Sequence, residues 1–261
     1  MLAFYTGNDV RNNYRRLEQD PGRPYFVPRG PGGGPASLAL DDSFRSTWGF
    51  RLRRSAPARA LYALFNHSRV MGVAKRGKGV VDGWIGAAKA RRKETGEALQ
   101  ELGLDNAVYS PPRDDDWRQA WEVTEAILAE MRREVAARGA AFGLLSLSTG
   151  MQVHPDPDAR RAFMRRLGIA DLSYPDRRLA AWGAARGVPT LALAPPLAAL
   201  AARERVFLHG FPNTAPGEGH WNARGHAAAA PLVAGWLCRE LLAPAAARQP
   251  ALAAPARVGG Q

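Results

Sequence analysis

The sequence predicts an α/β protein in which a parallel sheet is flanked by helices. Three observations carry that prediction. Residues 2–5, 142–147 and 188–194 are short, largely apolar runs, the pattern of strands covered on both faces. The second and third runs each follow a helical stretch that closes on glycine, as strand-helix alternation around a parallel sheet requires. At 261 residues and 46% hydrophobic, the chain can bury one such core without demanding a second domain.

Taken in order, Leu2-Ala3-Phe4-Tyr5 stops at Thr6-Gly7-Asn8-Asp9, a polar turn ending a buried strand. Residues 18–112 break the alternation. Their Pro and Gly runs, a β-hairpin pattern through 24–44 and basic helical patterns around 58–74 and 85–102 mark an insertion after the first strand. The clearest helix is predicted over 117–138, where Trp121, Thr124, Leu128, Met131 and Val135 share one face. Asp116 is its expected N-cap, Gln119 stands in capping-box position and Gly139 supplies the stop. A second helix is expected over 174–186, ended by Gly187. The last, over 223–242, carries Leu232, Val233, Trp236, Leu237 and Leu241 toward the sheet. Residues 244–261 have no periodic apolar face and are expected to be a disordered tail. The expected organisation is one domain over residues 1–243 with an insertion at about 18–112, and no internal repeat.

Charge and cysteine usage narrow the function classes. With 36 Lys plus Arg against 24 Asp plus Glu the formal net charge is +12, which draws anions. The arginines are nevertheless scattered through an Ala, Gly, Pro and Arg-rich chain with no aromatic-interleaved basic motif, so a solvated surface is expected and no nucleic-acid partner. Cys238 is the only cysteine, which excludes a disulfide or thiolate zinc site within the chain and suits a buried small hydrophobe. No run approaches the roughly 20 apolar residues of a membrane span, and the first residues lack a signal-peptide pattern; the compartment is left unassigned.

Two constellations suit acyl transfer. Asn8 falls at the carboxyl end of a strand, where open α/β sheets keep their ligand crevice, and its amide can donate to a developing oxyanion; Asn and Asp after Gly also suit an ordinary turn. His220 stands in the glycine-flanked stretch 217–226, just before the last helix. An imidazole there can take a proton from a serine hydroxyl and return it to a leaving alkoxide, or it can simply cap the helix, with His226 solvated or in the core. Other clusters suit plainer roles. The glycine-rich stretches 28–34 and 75–79 lack a phosphate loop's Gly-Lys-Ser/Thr ending, and His154 with Asp156 and Asp158 suits a turn that caps a helix near Ala159.

Together the two constellations resemble the SGNH, or GDSL-type, ester hydrolases. Gly7-Asn8-Asp9 is similar to the block in which that family ends a strand with Gly and Asn-Asp. The stretch Gly219-His220-Trp221-Asn222 with Gly225-His226 is similar to its Asp-x-x-His loop before the terminal helix, and Leu208-His209-Gly210-Phe211 resembles the approach to that loop. The resemblance implies a three-layer, flavodoxin-like SGNH hydrolase fold, with Asn8 in the oxyanion hole and His220 as catalytic base. The family's nucleophile, a serine in a Gly-Asp-Ser block, has no counterpart upstream of Leu2, and Asp41-Asp42-Ser43 suits a turn within the insertion. Gly217 stands three before His220 where the family has Asp. Glu218, the nearest carboxylate, is the candidate to orient the ring, or a backbone carbonyl does so.

The resemblance further implies a fold truncated at its N-terminus, with the serine block encoded upstream and the strand at Leu2, Phe4 and Tyr5 left as an aggregation-prone edge. It implies hydrolysis or acyl transfer on a small-molecule or carbohydrate ester, with no metal or organic cofactor. These residues alone are expected to turn over ester negligibly. The alternative, suggested by the missing serine and aspartate, is a non-catalytic carbohydrate- or envelope-polymer-binding module on a decayed hydrolase fold.

Overall fold

The computed structural model describes residues 2–5, 7–18, 20, 22–29, 38–67, 105–211, 214 and 216–243. The chain opens with β1 (Leu2–Tyr5) and two short helices, α1 (Asp9–Asn12) and α2 (Arg15–Glu18). An antiparallel pair, β2 (Tyr25–Pro28) and β3 (Leu38–Asp41), precedes α3 (Trp48–Arg54) and α4 (Ala56–His67). A 3-10 turn at Asn106–Tyr109, like the one at Ser43–Ser46 before α3, leads into α5 (Asp115–Ala137) and β4 (Leu144–Leu147). Then come α6 (Pro157–Leu167), α7 (Tyr174–Ala184), β5 (Thr190–Ala192), α8 (Ala194–Glu204) and α9 (Ala223–Leu237), which a wider π-type turn extends over Cys238–Leu242.

β1, β4 and β5 form a three-stranded parallel sheet in that order, with Leu2 opposite Leu144, Tyr5 opposite Leu147 and Leu144 opposite Thr190. The largely apolar run at β4 has a direct cause. Successive strand residues point to opposite faces, and both faces are covered. Leu144 enters a core with Trp121, Leu128, Leu179 and Trp182 of α5 and α7, whereas Leu145 enters another with Leu197, Ala229 and Trp236 of α8 and α9. The protein is therefore a mixed α/β molecule with helices on both sides of a small parallel sheet. Among the described residues β1 and β5 are its edges.

Several expectations are corrected by packing and local chemistry. The long helix starts earlier than expected because Asp114, not Asp116, caps it by accepting from the Trp117 amide at 2.8 Å. Gln119 does not close a capping box; its side-chain oxygen accepts from the Tyr14 hydroxyl at 2.7 Å. Trp121, Thr124 and Leu128 are buried, but Met131 is exposed, since the helix outruns the core beneath it. Gly139 and Gly187 adopt φ of 70° and 62°, the left-handed conformation that lets the chain leave a helix for the following strand. The strand expected over 188–194 is confined to Thr190–Ala192, because Ala194-Pro195-Pro196 opens α8 with prolines in the first turn, where their missing donor costs nothing. Near Ala159 the helix starts at Pro157, capped by Asp156, whose carboxylate accepts from the Asp158 amide at 2.8 Å. Cys238 is exposed rather than buried, since it begins the π-type turn while Trp236 and Leu241 hold the core.

The antiparallel pair lies within the hairpin pattern expected over 24–44. Helix α4 occupies part of the first basic pattern; the second, over 85–102, and the tail at 244–261 lie outside the described residues. No helix among the described residues is long and apolar enough to cross a membrane.

Candidate active site at the carboxyl edge of the sheet

Because β1 and β4 run parallel and in register, the turns that follow them leave from one edge of the sheet. After β1, the buried Gly7 offers its carbonyl to the Asp105 amide at 3.4 Å, and Asn8 occupies the N-cap position of α1. The Asn8 side chain makes no capping bond to that helix. What holds the turn in place is the next residue but one: Val10 is wholly buried, and Asn13 donates from its amide to the Thr124 hydroxyl of α5 at 3.2 Å.

His220 is carried by a chain segment folded back upon itself. The Gly210 amide donates to the His220 carbonyl at 3.0 Å, the Gly217 amide to the His209 carbonyl at 3.1 Å, and the Asn222 amide to the Leu208 carbonyl at 3.0 Å. Positive φ at Gly217 and Gly219, 87° and 81°, makes the tight path accessible. Asn222, not His220, caps α9: its side-chain oxygen accepts from the Gly225 amide at 3.0 Å while its amide donates to the Phe207 carbonyl at 2.9 Å. The His220 ring is thereby left exposed, tilted against Phe211 at 6.4 Å. Glu218 is half-buried. Among the described contacts no hydrogen bond or ion pair joins Glu218 to His220, nor Asn8 to either of them.

Beneath this loop lies a buried polar cluster that joins His209 and Trp221 to residues with no site motif of their own. Ser148 and Thr149 follow β4 and are fully buried. The Ser148 hydroxyl is 3.2 Å from His209 Nε2 and receives the Trp221 indole N–H at 2.9 Å; His209 Nδ1 lies 2.7 Å from the Gly219 carbonyl. A carbonyl only accepts, so the proton of neutral His209 sits on Nδ1, and Nε2 accepts from Ser148. Burial drives the His209 pKa down to about 4, nearby His220 acts in the same direction, and the Gly219 carbonyl opposes both.

On the other side, Thr149 shares a 2.7 Å hydrogen bond with the Tyr109 hydroxyl and its amide donates to Gln152 at 2.9 Å. The Gln152 amide in turn donates to Asp176 at 2.7 Å and to the Leu172 carbonyl at 3.0 Å, while the Ser146 hydroxyl donates to Asp176. Burial raises the pKa of the Asp176 carboxyl, partly offset by those two donors. Tyr109 also helps line an open cleft of about 470 Å³ with Ser110, Arg113, Ile169, Tyr174 and Arg177.

Ser148 and His209 have the spacing of a nucleophile and its base, yet the pair is closed to substrate. Each is no more than 2% exposed, and the serine oxygen already accepts from Trp221. The sequence signal for this cluster was slender: Ser146, Ser148 and Thr149 are polar residues ending an apolar run, and only the fold brings His209 and Trp221 to them. Ser43, by contrast, is exposed in a turn where its amide donates to Asp41 at 3.0 Å. Among the described residues no group of three His, Cys, Asp or Glu is placed to hold a metal ion.

The fold and this site define a mixed α/β protein whose loops converge on a polar carboxyl edge. Compared with protein families, curated proteins and solved structures, the chain matches none.

Proposed function

We propose that the chain contributes the oxyanion donor and the general base of an SGNH-type ester hydrolase, built on the flavodoxin-like arrangement that family uses. One observation supports the reading above others: the turn bearing Asn8 and the locked loop bearing His220 both adjoin the carboxyl edge formed by β1 and β4, where open parallel sheets hold their ligands. In this reading His220 takes the proton of a serine hydroxyl as that oxygen attacks the ester carbonyl, and the Asn8 amide donates to the oxyanion. His220 then returns the proton to the departing alkoxide, leaving an acyl-serine that water cleaves by the same route. The reading requires a nucleophilic serine that these 261 residues do not offer in a Gly-Asp-Ser block. Glu218, two residues before His220 in sequence, is the candidate carboxylate to orient the ring, although no hydrogen bond or ion pair joins the two among the described contacts.

The test is a titration of the 261-residue chain with a short alkyl phosphonate monoester, a mimic of the tetrahedral oxyanion, followed by NMR at the Asn8 side-chain amide and the His220 ring. Joint saturable shifts at both residues are expected, with negligible hydrolysis of a short-chain aryl ester. Shifts at neither residue refute the reading. Binding of a neutral oligosaccharide in place of the phosphonate favours the second reading, a carbohydrate- or polymer-binding module, which the missing serine block supports.

A further inference from the structure

We infer that Ser148, His209 and Trp221 form a clasp that positions the His220 loop on the end of β4, and that His209 is a positioning residue for the proposed hydrolytic site. The inference rests on the hydrolase reading for its catalytic consequence, but the clasp itself stands on geometry alone. Its bonds run in one direction. The Trp221 N–H donates to Ser148, the Ser148 hydroxyl donates to His209 Nε2, and His209 Nδ1–H donates to the Gly219 carbonyl, the residue before His220. Trp221, the residue after His220, is thus tied to the same serine. The base candidate is bracketed on both sides, so its backbone cannot shift without breaking a part-buried hydrogen bond to a buried partner, His209 on one side and Ser148 on the other.

Packing closes the clasp further. The His209 and Trp221 rings meet edge to face at 6.4 Å, their backbones form an antiparallel bridge, and Gly150 of the β4 turn lies so close to the Gly217 carbonyl that a methyl group there would sit 1.8 Å from it. A lone structural histidine needs none of this convergence on a single exposed neighbour. Fixing a base to within a fraction of an ångström is what separates a productive imidazole from one that merely sits nearby.

The experiment uses the 261-residue chain with three variants: Ser148→Ala, His209→Phe and the milder Trp221→Phe, which keeps an aromatic ring at the position while removing the indole donor and part of its bulk. Amide hydrogen exchange is read at Gly210, Gly217 and Asn222, with the amides of α5 as the internal reference. Exchange at the loop amides is expected to rise about tenfold or more, the scale on which one buried hydrogen bond acts, while α5 is unchanged. Phosphonate affinity is expected to weaken by a similar factor through loss of the His220 shift, the Asn8 shift remaining. Loop exchange unchanged in all three variants overturns the clasp. Faster loop exchange with unaltered phosphonate affinity overturns the positioning role. If the wild type shifts neither Asn8 nor His220, the hydrolase reading and the positioning role fall together, and the exchange data still decide the clasp.

Discussion

His209 Nε2 and the Ser148 hydroxyl meet 3.2 Å apart in a space that solvent does not enter, and the histidine belongs to the segment that carries the exposed His220. Two histidines eleven residues apart in sequence therefore have opposite fates. One is locked neutral inside the molecule; the other is presented at its surface.

Acid should weaken the fold through His209. Its folded pKa of about 4 lies below the ordinary value of 6.5, so the unfolded chain binds the proton more readily. The resulting stability is fully present above about pH 6.5 and is lost as pH falls from there through 4. At roughly 1.4 kcal/mol per unit, its size is on the order of 3 kcal/mol. Urea unfolding at pH 7 and pH 4.5 should show the loss, and His209→Gln should flatten the profile between those values.

Asp176 acts with the opposite sign. Its folded pKa is raised by burial, so protonation favours the folded state and stability is gained as pH falls through that raised value. Asp176→Asn removes this compensation and should steepen the acid loss seen in the wild type. At pH 7 the asparagine should be tolerated within about 1 kcal/mol, because the Ser146 hydroxyl can rotate to accept from it. Asp176→Ala strands both Ser146 and Gln152 and should cost about 2–4 kcal/mol by denaturant midpoint. Equal costs for the two variants would show that the carboxylate network is not what holds the turn after β4.

The layered parts of this fold were legible in the sequence for a simple reason: β4 is covered on both faces and so is written as a largely apolar run, and Gly139 and Gly187 turn the chain after α5 and α7 toward the next strand. Helix α8 was hidden because Leu193 and Ala194 continue the apolar run of β5, and only the prolines after them betray the change of direction. Asn8 and His220 were visible as types, since an amide after a strand and a glycine-flanked imidazole suggest chemistry by themselves. Ser148, Trp221 and Asp176 were not, because each owes its role to partners tens of residues away. Cys238 looked apolar by its neighbours, yet the π-type turn it begins leaves it in solvent.

Gly150→Ala should disrupt the loop from below. The new methyl would lie 1.8 Å from the Gly217 carbonyl oxygen and 3.0 Å from its carbon, both backbone atoms that cannot swing aside as a flexible side chain would. Overpacking of this kind costs about 1–3 kcal/mol or displaces one of the two segments. The expected result is faster amide exchange at Gly217 and Asn222 with α7 unaffected. Retained wild-type exchange at those amides would mean that the loop and the β4 turn separate freely in solution.

Arg178 ties α7 to α5 by two contacts and is braced by a third within its own helix. Its Nε donates to Glu125 at 2.7 Å, its guanidinium lies 4.6 Å from the centre of the buried Trp121 ring, and a terminal nitrogen donates to the Tyr174 hydroxyl at 3.0 Å. The Arg178 and Glu125 side chains are about a quarter exposed, so solvent and salt screen the pair only in part. Lysine keeps the charge but has neither the planar fork nor the flat face that stacks on indole. Arg178→Lys is therefore expected to lose about 1 kcal/mol and Arg178→Ala about 1–2 kcal/mol, with Glu125→Gln recovering only the ionic share in a double-mutant cycle. Repeating the unfolding in 1 M salt separates the contributions. A penalty that persists assigns the contact to stacking and hydrogen bonding over Trp121, whereas one that vanishes reduces it to an ordinary surface ion pair and leaves α5 and α7 joined by their apolar faces alone.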